Sequence, residues 1–136
     1  MNKIILAIIL AGFGAQLLKL IIFWFRHKTL HWHDLVVTGG MPSSHSAFVV
    51  SLAASIYLEE GASALFAVSL VLAFVVLMDA FNVRRSVGEE GMVINRILRK
   101  IKLKTEMHYS LGHTPLQVAV GALIGLIVSL LVYFWM

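Results

Sequence analysis

The sequence predicts an all-α integral membrane protein, a helical bundle of about four transmembrane helices with a basic cytoplasmic loop. Three observations carry that prediction. Of the 136 residues, 60% are hydrophobic and only 13% charged, whereas a soluble domain averages roughly 45–50% apolar. Apolar runs recur at 4–25, 42–58, 62–78 and 114–135, and at 1.5 Å rise per residue about 17–25 residues cross a bilayer. The cations lie mainly between these runs, where loop charge sets membrane orientation. One domain over residues 1–136 is expected. With no cysteine, disulfides and thiolate zinc sites are excluded, and the net charge of +4 reads as loop charge facing a membrane, with no nucleic-acid partner.

The first run, Ile4 to Phe25, reads as a helix and not a cleaved signal, because it continues well past the small residues at Ala11–Ala15. Gln16 and Lys19 interrupt it. An ionisable residue at membrane depth is functional by default, although Lys19 is close enough to the helix end to snorkel. The linker from Arg26 to Met41 carries His27, His31, His33 and Asp34. A transition-metal site and an ordinary polar linker both fit this stretch. The linker reading is preferred, since neither a His-Glu-x-x-His pattern nor a cysteine accompanies the histidines. No metal and no cofactor are expected.

Within Thr38-Gly39-Gly40-Met41-Pro42-Ser43-Ser44-His45-Ser46-Ala47, two glycines permit a tight turn, Pro42 suits the first position of a helix, and two hydroxyls and an imidazole follow in its first turn. The free amides of such a turn and its dipole suit an anion; a plain capped helix start is the alternative. The second helix runs from Pro42 to about Leu58, ending at Glu59-Glu60-Gly61. Ala47, Ser51 and Ser55 form a small-residue seam along it. The third helix spans Ala62 to about Met78.

Asp79 to Gly112 is the longest polar segment and contains Arg84, Arg85, Arg96, Arg99, Lys100, Lys102 and Lys104, so it is expected in the cytoplasm. Val93, Ile94, Ile97, Leu98 and Ile101 keep a rough helical period within it. An amphipathic helix on the inner leaflet and a solvated loop both fit. The last helix, Thr114 to Trp135, carries Gly121 and Gly125, a pair that permits close helix contact inside the bundle or in a homodimer.

Four spans bring Lys19 and Arg26, Ser43 to His45, Asp79 with Arg84 and Arg85, and His113 to one membrane face. Sites between bundle helices are built in this way. Cations and amides neutralise a phosphoryl group, one imidazole can attack phosphorus and another can protonate the leaving oxygen. Positioning and charge stabilisation are most of what phosphoryl transfer needs.

Three segments, 38–47, Asp79-Ala-Phe-Asn-Val-Arg-Arg85 and Gly112-His-Thr-Pro-Leu-Gln117, resemble the signatures of the divergent branch of the type 2 phosphatidic acid phosphatase superfamily, relatives of lipid phosphatases and vanadium haloperoxidases. The likeness covers essentially the whole chain. Lys19 and Arg26 are similar to the first superfamily motif, K-x6-R-P, with His27 in place of proline. Pro42-Ser43-Ser44-His45 is similar to P-S-G-H. Of the third motif, S-R-x5-H-x3-D, His113 matches the histidine, Gln117 stands at the aspartate, and Glu106-Met107 replace the Ser-Arg pair.

The resemblance implies a helical, metal-independent phosphatase with His113 as nucleophile, His45 as general acid, Gln117 in the orienting position, and Lys19, Arg26, Ser43 and Ser44 as phosphate ligands. Arg84 or Arg85 is the spatial substitute for the missing arginine. The expected substrate is a lipid phosphomonoester of the cytoplasmic leaflet, such as phosphatidylglycerophosphate or phosphatidate. The rival expectation is a non-catalytic lipid-phosphate binding or transport protein.

Overall fold

A computed structural model describes residues 2–27, 40–105 and 111–135. Its elements are α1 (Lys3–His27), α2 (Ser44–Glu60), α3 (Ala64–Met78), a π-helical turn (Asp79–Val83), α4 (Arg84–Lys100) and α5 (Pro115–Trp135). Most helix starts have a local cause. Asn2 Oδ1 accepts the Ile4 N–H at 2.9 Å at the head of α1. Ser43, in extended backbone, caps α2 by accepting the Ser46 N–H at 3.3 Å. Between α2 and α3 the chain reverses over three residues. Gly61 takes φ 68 and donates its N–H to the Tyr57 carbonyl at 2.8 Å, a left-handed helix end that suits glycine. Ser63 then caps α3, accepting from Phe66 N at 3.1 Å and donating its hydroxyl to Glu60 Oε2 at 3.0 Å.

The bundle is organised round α2, which packs against α1, α3 and α5. Its buried residues are nearly all small: Ser46, Ala47, Ser51, Ala53 and Ser55, with Ile56. Small side chains let backbones approach, and in a membrane close packing and hydroxyl bonds replace the hydrophobic drive. Against α5 the fit is backbone to backbone. A Cβ at Gly121 would meet the Ser43 carbonyl, and one at Gly125 the Ala47 carbonyl, so this glycine pair works inside the chain. Further along, Ser51 Oγ and Ser129 Oγ lie 2.9 Å apart, Ser55 Oγ donates to Ser129 Oγ at 3.2 Å, and Ser129 Oγ can itself donate to the Gly125 carbonyl at 2.9 Å. Against α1, Gly12 leaves room for the Phe48 ring, which meets Phe13 edge to face at 5.9 Å.

Three helical stretches, Lys3–Phe25, Ala64–Lys100 and Pro115–Trp135, are long and apolar enough to cross a membrane. The 17 residues of α2 reach about 26 Å, a little short of a roughly 30 Å hydrocarbon core. Enclosed by the other helices and joined to α3 by a three-residue turn, α2 runs antiparallel beside it and completes a four-helix membrane bundle. Outward-facing Phe13, Leu17, Val68, Val71, Phe74 and Leu116 supply the apolar exterior.

Two expectations are corrected. The second helix does not begin at Pro42; Ser43 is its cap and Ser44 its first residue, because the serine side chain satisfies an amide that proline's ring cannot. Nor does the third helix stop at Met78. It passes through the π turn into α4 and runs to Lys100, so the segment expected as a long loop is largely helical.

Candidate active site

The site is assembled from four pieces of chain at one end of the bundle. His45 lies in the first turn of α2, whose Ser44 and His45 amides have no acceptor among the described residues. Ser43 is fully buried, and its Oγ accepts from both Ser46 N and Ser46 Oγ, the latter at 2.8 Å. It therefore acts first as a helix cap. Ser44 is half-buried beside it.

The π turn supplies the second piece. Here Arg84 donates its N–H to the Asp79 carbonyl, five residues back. Positions five apart diverge on an α-helix, but the wider turn brings them together. Accordingly Arg84 Nε donates to Asp79 Oδ2 at 2.6 Å, with both side chains about one-third exposed. Arg85 turns instead to Glu89, at 3.1 Å. The charges of Arg84, Lys19 and Asp79 all act on the His45 ring.

The third piece is the strand of chain before α5. Gly112, at φ 65, lies so close to the Arg84–Arg85 backbone that a Cβ would collide with it. This lets the His113 N–H reach the Ala80 carbonyl at 3.1 Å. The fourth piece is α1, where the Lys19 stem runs beneath Gly40; a Cβ built on Gly40 would lie 3.6 Å from Lys19 Cδ.

His113 is only 2% exposed, and its buried Nδ1 has no hydrogen-bond partner among the described residues. Burial pushes its pKa below the ordinary 6.5, and the positive Lys19 and the His45 ring push the same way; the Gln117 side chain and the Gly40 carbonyl oppose them. The net push is toward the neutral ring, which keeps a lone pair. The sign is definite: with a depressed pKa, neutral His113 stabilises the fold above pH 6.5, and that stability is lost as pH falls through the folded value. Histidine NMR should show one imidazole still neutral when an unfolded histidine is already half protonated. Titration of all the histidines at 6.5 or above would refute it.

Gln117 has a second employment. Its Oε1 accepts the Thr114 N–H at 3.0 Å, while its own N–H donates to Thr114 Oγ1 at 3.3 Å. With Pro115 as first helical residue, this is a capping box at the start of α5. The Gln117 carbonyl also accepts the Ser43 N–H at 3.2 Å, joining the starts of α5 and α2. The sequence signal was present in Thr-x-x-Gln, whereas the Ala80 and Gly40 carbonyls carry none.

Of the other expected residues, Arg26 lies in the last turn of α1, seven positions after Lys19. Two helical turns return it to the same face in backbone terms; its side chain lies outside the described residues, as does the whole of His31, His33 and Asp34. Among the described residues, no three His, Asp or Glu side chains gather to hold a metal. The arrangement therefore offers one buried imidazole whose pKa is lowered, a more exposed second one, two cations and two helix amides with no acceptor among the described residues.

The family model described as the Divergent PAP2 family matches residues 1–128 of the chain. The chain is also 38% identical over 141 aligned positions to the uncharacterized membrane protein YuiD of Bacillus subtilis (strain 168), covering 90% of this chain and 89% of that protein. No solved structure matches it.

Proposed function

The chain belongs to the Divergent PAP2 family, and from that premise we propose that it is a membrane phosphatase that hydrolyses a lipid phosphomonoester through a phosphohistidine on His113. The observation that carries this reading is the meeting of His113, His45, Lys19 and Arg84 at one end of the bundle. In the first step a ring nitrogen of neutral His113 donates its lone pair to phosphorus. The bond from phosphorus to the lipid oxygen breaks, and protonated His45 gives its proton to that oxygen. Water then attacks phosphorus, His45 takes its proton, the P–N bond breaks and orthophosphate leaves. Lys19, Arg84 and the Ser44 and His45 amides neutralise the oxygens throughout. No step requires a metal. The basic residues of α4 support a site that faces the cytoplasm, and on that reading the substrate is a lipid of that leaflet, with phosphatidate or phosphatidylglycerophosphate as the class.

A second reading is favoured by two features. His113 is only 2% exposed, which restricts a substrate's reach to its ring, and the residue at the orienting position is a carboxamide. A protein that binds or transports lipid phosphates without hydrolysing them has the same anion site. Orthophosphate release from purified protein, with a panel of lipid phosphates in chelator, separates the two. Release supports the phosphatase; tight binding without release supports the carrier.

The Gln117 variants refine the test. Gln117→Glu is expected to raise turnover, because a carboxylate stabilises the cationic phosphorylated ring and still serves the capping box. It also raises the His113 pKa, so the acid limb of the pH profile moves upward. Gln117→Leu keeps its backbone N–H on Thr114 Oγ1 but loses the side-chain oxygen that accepts the Thr114 N–H, and is expected to lower turnover. Wild-type turnover in Gln117→Leu would assign the orienting role elsewhere.

A further inference from the structure

Helix α4 has three distinct sides. Gly88, Gly91 and Asn95 are buried. Val83, Val87, Ile94, Ile97 and Ile101 return to one side at helical spacing and are 59%, 59%, 39%, 52% and 59% exposed. Roughly opposite them, Met92, Arg96, Arg99 and Lys100 line a shallow cavity of ≈ 430 Å³. From Arg84 to this cavity is about twelve residues of helix, roughly 18 Å, so it is separate from the histidine cluster.

We propose that α4 lies on the bilayer surface and that its Arg96, Arg99 and Lys100 face binds the phosphate headgroup of an anionic phospholipid, as a second lipid site distinct from the reaction site. Geometry names the occupant. The helix from Ala64 to Lys100 is 37 residues long, about 55 Å, against a hydrocarbon core of roughly 30 Å. Its first twenty residues, through the π turn, fill the membrane, so α4 starts at the interface. The chain returns to the start of α4 before it re-enters the membrane at α5, with Gly112 against the Arg84–Arg85 backbone, which anchors that end of α4 at the interface. Standing clear of the bilayer, it would hold five branched apolar side chains in water. Lying on it, these enter the acyl boundary while the long cationic side chains reach the phosphates.

Charge selects the lipid. From Arg84 to Lys104 there are seven cations and two acids, Glu89 and Glu90. Glu89 and Glu90 both lie in the first half of α4 and Arg96, Arg99 and Lys100 toward its end, so the cationic excess is at the cavity end. Each cation near an anionic surface contributes about fivefold to the association. This inference holds whether or not the histidine cluster hydrolyses anything.

The chain has no cysteine, so Ile97→Cys gives a single labelling position for an environment-sensitive fluorophore. The labelled full chain is reconstituted in vesicles of phosphatidylcholine with phosphatidylglycerol, one or the other brominated as quencher. Brominated phosphatidylglycerol is expected to quench several-fold more than brominated phosphatidylcholine at equal content. The triple variant Arg96→Glu, Arg99→Glu, Lys100→Glu should lower that preference at least fivefold. So should 1 M salt on the unchanged face, which needs no variant to fold. Equal quenching by both lipids overturns the headgroup site. Absence of quenching, with self-quenching between labels, overturns the bilayer placement and assigns the face to a second copy. Loss of the preference in millimolar inorganic phosphate assigns the cavity to a soluble anion, against the proposal.

Discussion

His113→Ala is expected to abolish phosphate release, by about 10⁴–10⁶-fold, the scale on which loss of a covalent nucleophile acts. Quenching the wild-type protein during turnover should trap phosphate in an acid-labile, base-stable form, as a P–N bond requires, and the variant should trap none. His45→Ala behaves differently. A general acid contributes about 10²–10⁴-fold, but only where the leaving oxygen needs a proton. A lipid alkoxide needs one and a nitrophenolate does not. The His45→Ala loss should therefore be large on a lipid phosphate and small on p-nitrophenyl phosphate. Equal loss on both would remove His45 from proton transfer, and full activity of His113→Ala would end the phosphohistidine mechanism and favour the carrier reading.

The second large effect comes from a single methyl group. Gly121→Ala places a Cβ against the Ser43 carbonyl, and Gly125→Ala places one against the Ala47 carbonyl. Both obstacles are backbone, so the helices must separate, at a cost of about 1–3 kcal/mol by overpacking. The two variants should melt at similarly reduced temperatures in detergent. Their activities should diverge, because Ser43 is the cap of the turn that holds His45 whereas Ala47 lies a turn deeper. A misplacement near 1 Å can cost about 10²-fold, and Gly121→Ala is expected to show it where Gly125→Ala does not. Gly14→Ala, with open space around its Cβ, is the control and should leave both measurements unchanged. Equal activity in the Gly121 and Gly125 variants would separate the catalytic geometry from the seam between α2 and α5.

Length and hydropathy were enough to read about four helices, and small-residue spacing marked Ala47, Ser51 and Ser55 and the Gly121–Gly125 pair as close-contact positions without pairing α2 with α5. The gathering of Lys19, His45, Arg84 and His113 was also legible, because an even alternation of spans leaves only two faces on which polar helix ends can lie. The π turn was not legible. Nothing in Asp79-Ala-Phe-Asn-Val distinguishes a wide helical turn from a loop start, and a sequence reader expecting pairs at three or four residues passes over Asp79 and Arg84 at five. The continuation into α4 was hidden for a related reason: apolar content falls sharply at Arg84, which ends a membrane span without ending a helix. Burial of His113 escaped too, since the contacts that set its place, its N–H on the Ala80 carbonyl and Gly112 against the Arg84–Arg85 backbone, are backbone contacts that residue type does not mark.

The three hydroxyls of Ser51, Ser55 and Ser129 bear on how the chain is made. Two of them are translated on a helix of only 17 residues, while the third is on α5, which is translated later. Until α5 arrives, Ser51 and Ser55 have only their own helix carbonyls as partners, and α2 presents a polar seam to lipid or to the insertion machinery. A polar, marginally short segment partitions weakly by itself. Insertion of α2 is thus expected to remain reversible until α5 is translated, and nascent chains truncated before Pro115 should leave α2 extractable while full-length chains do not.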